Sequence, residues 1–201
     1  PRMVRDVARQ LGKSVRFELR NTETRVDRDI LEKLEAPLTH LLRNALDHGL
    51  ETPAERRAAG KPETGTLTLS AEHRAGMLMV TVADDGRGVD YERLTARIRE
   101  RNLAPAELLA KLTRPELLEF MYLPGFSTAA AVTEISGRGV GLDVVLTMAQ
   151  EVGGSIRTES EPGQGTQFIM QLPLTLSVVR ALLVEIADEA YAFPLARLDR
   201  T

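Results

Sequence analysis

Apolar and polar positions recur along this chain with two periods, and the switches between them mark out its elements. Residues 2–12, RMVRDVARQLG, carry helical spacing that Gly12 closes. Residues 14–21 set Val15, Phe17 and Leu19 against charged neighbours, the alternation of a half-buried strand. A helix is expected over TRVDRDILEKLEAPLTHLLRNALDHG, with Asp29 as N-cap, Gly49 as stop and Pro37 as a kink or a new first turn. Residues 51–65 predict a short helix between prolines and glycines, and 65–74 with 77–85 an antiparallel hairpin turning at Ala75-Gly76. Residues 90–122 are helical in pattern, with breaks at Pro105 and Pro115. Residues 123–141 keep no period and read as a long mobile loop. An amphipathic helix over 141–154 and a second hairpin over 155–174, turning at Pro-Gly, complete the pattern.

This order is not the strict βαβα alternation of a doubly wound parallel fold. It predicts an α+β fold, a two-layer sandwich of one mixed, mostly antiparallel sheet with helices on one face. After Pro173 the chain becomes β-branched and apolar again, which reads as a linker and the first strands of a further domain. With 201 residues the chain suffices for one substantial domain, and 43% hydrophobic with 27% charged residues is ordinary for a globular protein. A net charge of −3 disfavours a nucleic-acid partner. No apolar run approaches the roughly 20 residues that span a bilayer, and no signal-peptide pattern opens the chain, so no membrane insertion and a cytoplasmic location are expected. The absence of cysteine excludes disulfides, thiolate zinc sites and cysteine nucleophiles. Because the chain opens on Pro1 and ends in PLARLDRT, it reads as a piece of a longer protein.

Candidate chemistry gathers in five stretches. In HLLRNALDHG, residues 40–49, Leu38, Leu41, Leu42 and Ala45 make a buried helical face. Opposite them His40, Arg43, Asn44, Asp47 and His48 fill an arc of about 140° at roughly 100° per residue. Solvated faces ordinarily carry Lys and Glu; this one carries an amide that can offer oxygen to Mg²⁺, with Arg43 and histidines able to meet phosphates. DDGRG, residues 84–88, ends a strongly apolar strand: it is either a plain turn or a pocket where Asp84 accepts from an exocyclic amine while Gly86 and Gly88 admit a flat ligand. SGRGVGLD, residues 136–143, leads glycines into a helix, a natural anion cradle, yet it is neither a Rossmann fingerprint nor a Walker loop. PGFST at 124–128 and PGQGTQF at 162–168 are turn-like by themselves. A zinc or serine-hydrolase reading finds no supporting motif.

In this order the stretches are far more specific than singly, and the chain resembles the ATP-binding domain of the chemotaxis-type histidine kinases, the CheA family, within the gyrase/Hsp90/histidine-kinase/MutL group. HLLRNALDHGLE is similar to that family's N-box, DDGRG to its first glycine box, PGFST to its phenylalanine box, and GRGVGLD and GQGT to its later glycine boxes. The resemblance covers about residues 1–176; residues 177–201 resemble the junction into a CheW-like regulatory domain. It implies the Bergerat-type ATP-binding fold with a mobile ATP lid. By implication Asp84 accepts from the adenine amino group, Gly86 and Gly88 shape that pocket, and Thr166 lies at its floor. Asn44 is implied to hold Mg²⁺, with His40 beside it in catalysis and Arg43, Asp47 and His48 on the phosphate side. Phe126, Ser127, Thr128, Ser136, Gly137, Arg138, Gly139, Val140, Gly141 and Leu142 are implied on the lid and its flanks. Arg93 stands where the family often has Lys, which keeps the cation and changes its geometry.

The implied activity is transfer of the ATP γ-phosphoryl group to a histidine on a separate phosphotransfer domain, in two-component signalling. His40 and His48 belong to the implied nucleotide site, and His73 has no recognisable motif around it, so the acceptor is expected elsewhere in the full protein. The implied partners are that domain, a response regulator, a CheW-like coupling protein in a chemoreceptor array, and a second copy joined through a dimerisation domain outside this chain. Two alternatives stand beside it: an ATP-hydrolysing conformational machine, and a degenerate kinase serving as a nucleotide-gated scaffold.

Overall fold

The computed structural model describes residues 1–126, 141–174, 181–186 and 189–194. Its helices are α1 (Arg2–Gln10), α2 (Arg28–Asn44), α3 (Pro53–Ala58), α4 (Tyr91–Glu100), α5 (Ala106–Leu109), α6 (Arg114–Glu119) and α7 (Leu142–Glu151). Its strands are β1 (Val15–Arg20), β2 (Gly65–Arg74), β3 (Met77–Asp84), β4 (Ser155–Glu161), β5 (Gly165–Pro173), β6 (Ala181–Ile186) and β7 (Glu189–Pro194). Strands β1 to β5 form one sheet in the order β1-β2-β3-β5-β4. The β1–β2 pair is parallel, Val15 opposite Gly65, and the other three pairs are antiparallel. A parallel pair needs a long crossover, and α2 with α3 supplies it. The predicted mixed sheet and both hairpins are therefore present. β6 and β7 make a separate two-stranded pair.

β3 alternates half-buried and buried residues along its length, which is period two with one face turned to the core. Leu78, Val80 and Val82 from β3 meet Leu67 of β2 and Phe168, Met170 and Leu172 of β5 there. The helices close this layer with Val4 and Ala8, Ile30, Leu34, Leu41 and Leu42, and Val145, Met148 and Ala149. Each large aliphatic side chain so buried contributes about 1.5–3 kcal/mol against leaving it wet. A second cluster, Leu94, Ile98, Leu109, Leu117, Leu118 and Phe126, binds the short helices α4 to α6 to one another.

Three sequence expectations change. The α2 N-cap is Asp27, whose carboxylate accepts from the Asp29 N–H at 2.9 Å; Asp29 is the acidic residue of the first turn. Pro37 neither breaks α2 nor begins it: the helix runs through it, with Pro37 buried. Before Gly49 the helix widens into a π turn over Ala45–Gly49, where the Leu50 N–H reaches back to the Ala45 carbonyl at 2.8 Å. Asp47 and His48 thus depart from the α-helical phase that placed them in line with His40 and Asn44.

Candidate functional site

Asp84 is the last residue of β3 and stands opposite Thr166 of β5. Only 9% exposed, it is a carboxylate in a largely dry place. Burial pushes its pKa up to about 6, partly opposed by hydrogen bonds from the Gly86 and Thr166 amides, and pushed further by the Asp85 and Glu51 charges. The Gly86 N–H donates to Asp84 Oδ1 at 2.9 Å.

The walls around this carboxylate are bare backbone. A Cβ on Gly49 would lie 2.8 Å from Asp84 Oδ2, one on Gly86 2.1 Å from the Gly49 carbonyl oxygen, and one on Gly165 1.9 Å from the Asp84 carbonyl oxygen. Gly88, at φ +70°, would place a Cβ 2.4 Å from the Glu161 carbonyl oxygen. None of these positions has room for a side chain, so the π turn, the loop after β3 and the turn before β5 meet directly. The Arg87 N–H donates to the Gly49 carbonyl at 2.9 Å, and the Gly163 N–H to the Arg87 carbonyl at 2.8 Å. Thr166 is buried too, with its Oγ1 3.0 Å from Ser160 Oγ, which accepts from the Val89 N–H at 2.8 Å.

On α2, Asn44 Nδ2 lies 2.9 Å from His40 Nε2. Burial holds His40 below the ordinary histidine range, the Asp143 charge pulling it back and the Arg43 charge adding to the drop. At neutral pH the ring is uncharged, so Nε2 accepts from the Asn44 amide and Nδ1 carries the proton. That bond turns the Asn44 amide oxygen away from His40, available to a hard cation. Arg43 and Asp47 are half-buried and His48 is exposed. Lys13, from the turn after α1, donates to the carbonyls of Leu46 and Asp47 at 2.5 and 3.0 Å and so holds the π turn.

The remaining expected residues fall in several places. Phe126, expected at the nucleotide, is only 5% exposed and packs with Leu94, Ile98 and Leu118 in the second cluster, where its ring anchors the chain. Arg93 is exposed in the first turn of α4, its N–H capped by Asp90 at 2.9 Å. Gly141 precedes α7 and Leu142 is buried against the main core. Ser127, Thr128, Ser136, Gly137, Arg138, Gly139 and Val140 lie outside the described residues.

Sequence reasoning passed over a charged cluster behind the Asp84 loop. Arg56, 1% exposed, donates through Nη1 and Nη2 to Asp85 Oδ1 and Oδ2 at 3.0 and 3.1 Å, and through Nη1 to Glu51 at 3.1 Å. Lys61 donates to Glu51 Oε1 at 2.8 Å. Burial pushes Glu51 up, yet its Lys61 hydrogen bond and the two cations bring it below the ordinary carboxylate range. The signal was present in GLETPAERRAAGKP, where acid and base alternate around a proline-led turn, but its partner Asp85 is 29 residues from Arg56. Asp143 was also missed; its Oδ1 is buried with no hydrogen-bond partner, and its charge acts on His40.

The chain is 43% identical to the chemotaxis protein CheA of Treponema pallidum over 98% of its own length and 24% of that protein's. It is 44% identical to the chemotaxis protein CheA of Salmonella typhimurium, covering 97% of this chain and 29% of that one. The sensor histidine kinase CheAY of Helicobacter pylori is 41% identical, over 100% and 25%. The chain thus spans about a quarter of the length of these curated relatives. Among solved structures, the histidine kinase domain of the Erythrobacter litoralis blue-light activated kinase aligns with a TM-score of 0.48 at 18% identity, over 86% of this chain and 62% of that one. The catalytic domain of histidine kinase ThkA aligns at 0.47 and 21%, over 88% and 93%. The family model that matches residues 32–176 describes the histidine kinase-, DNA gyrase B- and HSP90-like ATPases, and to that family this chain belongs.

Proposed function

We propose that the chain is the catalytic core of a chemotaxis-type histidine kinase, which binds ATP with Mg²⁺ and passes the γ-phosphoryl group to a histidine on a phosphotransfer domain. ATP follows from the ATPase family itself. The observation that carries the rest is Asp84: a buried carboxylate at a strand end, walled by glycine backbone, fits the edge of a flat purine and its exocyclic amine. Gly86, Gly88 and Thr166 complete that pocket in this reading. Asn44, with its amide turned by His40, is the residue to hold the metal, and Arg43, Asp47 and His48 flank the phosphates. A bound Mg²⁺ would supply neutralisation of the phosphate charge. The chain's part is to position the nucleotide, exclude water around the base and leave His40 uncharged beside Asn44. No covalent nucleophile is needed for such chemistry, and none is proposed.

Residues 1–176 are proposed as the ATP-binding domain and 177–201 as the junction and start of a CheW-like regulatory domain. A response regulator, a CheW-like coupling protein, a receptor array and a dimerising second copy are the proposed partners, in the cytoplasm. The alternative of a water-activating ATPase asks for a carboxylate base four residues before Asn44, where this chain has His40. Nucleotide titration of Asp84→Asn tests the assignment: ATP affinity is expected to fall by tenfold or more, and binding equal to the parent's refutes Asp84 as the adenine acceptor.

A further inference from the structure

Resting on that reading of Asp84, the geometry points to Lys61 and Arg56 as positioning residues for the adenine-binding carboxylate, acting through the peptide unit between Asp85 and Gly86. The carbonyl of that unit, Asp85 O, accepts from Lys61 Nζ at 3.0 Å and from Arg56 Nη1 at 3.2 Å. Its N–H, on Gly86, donates to Asp84 Oδ1 at 2.9 Å. A trans peptide points its C=O and N–H in opposite directions, so cations that hold the oxygen also aim the hydrogen. They polarise the same unit, and a hydrogen bond strengthened at one end strengthens the bond at the other.

Lys61 repeats the arrangement one residue on. It donates to Gly86 O at 2.7 Å, while the N–H of the same peptide unit, on Arg87, donates to the Gly49 carbonyl at 2.9 Å. Gly49 in turn stands against Asp84 Oδ2. Two consecutive peptide units therefore run between the cations, buried Arg56 and half-buried Lys61, and the two sides of one carboxylate. Among the described ion pairs, neither cation pairs with Asp84 directly; Arg56 pairs with Glu51 and Asp85, and Lys61 with Glu51. Asp85 is fixed from a third side by the Thr66 N–H at 2.8 Å. The cluster holds two cations and two anions, so its net charge is zero, and its hydrogen bonds fix how the loop is oriented.

The charged groups that oppose ionisation of Asp84 are the Asp85 carboxylate from the loop and the Glu51 carboxylate ahead of α3. The π turn faces it with Gly49 and β5 with the Thr166 amide, neither of them charged. The ionised carboxylate accepts from an amine more strongly than the acid does, so affinity is highest above the carboxyl pKa and falls as pH drops through it. Removing the Lys61 cation weakens the Gly86 donor and moves that loss to higher pH.

The test compares Glu51→Gln with Glu51→Gln/Lys61→Met, so that Lys61 is removed without leaving Glu51 unpaired and the Arg56–Asp85 pair stays in place. ADP with Mg²⁺ is titrated calorimetrically from pH 5 to 8. The midpoint of the affinity loss is expected about one pH unit higher in the double variant, a change of about tenfold in affinity where the profile falls. A folded double variant with the profile of Glu51→Gln overturns the proposal. Should the double variant fail to fold, Lys61→Gln in the parent chain is read in the same way, and a parental midpoint there overturns it. Asp84→Asn is titrated alongside. If it binds ADP like the parent, the adenine reading falls and this role with it. If it loses ADP while Lys61 variants keep the reference profile, only the positioning role is lost.

Discussion

Asp84 is held in an unfavourable state by its own fold. Its ordinary pKa of 3.8 rises to about 6 in the folded chain. A carboxyl with a raised folded pKa stabilises the fold fully below its unfolded value, and that stability drains away as pH climbs through the folded one. The two-unit shift corresponds to roughly 2–3 kcal/mol lost between about pH 4 and pH 6 in the nucleotide-free protein. Asp84→Asn keeps an oxygen for the Gly86 amide and never ionises. It is therefore expected to melt higher than the parent at pH 7.5 and to flatten the pH dependence between 4 and 6, while losing nucleotide. Scanning fluorimetry at several pH values decides this: a variant that melts lower at pH 7.5 contradicts the account. Asp84 itself was legible in the sequence, because a carboxylate at the end of an apolar strand before two glycines is a local pattern. Arg56, Lys61 and Asp85 were not, because an ion pair across some thirty residues leaves no periodic trace.

At the scale of elements, α2 shows where periodicity stops informing. His40 and Asn44 fall one helical turn apart, as the spacing predicts, and they meet. Beyond Asn44 the i→i+5 bond of the π turn alters the phase, a change that side-chain pattern alone does not encode. The same turn delivers Gly49 to Asp84, so a feature read as a helix stop belongs to the site. The burial of Phe126 was hidden for the opposite reason. Its neighbours Pro124, Gly125 and Ser127 carry no period, and its ring is claimed by a cluster assembled from three short helices. Phe126→Ala is expected to destabilise that cluster by about 3 kcal/mol or more, the usual loss for a buried ring. Urea denaturation with hydrogen exchange on α4 and α6 measures it, and unchanged protection in those helices would place Phe126 outside the cluster's support.

For the whole molecule, the layer order followed from the sequence because strand and helix periods alternate cleanly up to Pro173, and each hairpin has its own turn signal. What did not follow was which ends meet. The parallel β1–β2 pair brings the segment after α2 beside the loop after β3, so that Arg56 and Lys61, both paired with Glu51, reach Asp85 and Gly86. Both hydrophobic clusters are built from described residues no later than Leu172. A chain ended at residue 176 is accordingly expected to keep the parent's melting temperature to within about 2 °C, since none of the described core side chains is removed; a larger drop in calorimetry would show that the tail supports the domain. The glycine walls around Asp84 carry one more consequence, for inhibition. Every missense change at Gly86 or Gly165 installs a side chain where backbone already sits within 3 Å, and one at Gly49 where the Asp84 carboxylate does. On the proposed adenine reading, an inhibitor resting on those three residues therefore meets a surface with little room for resistance, because the changes that would repel it also fill the pocket beside Asp84.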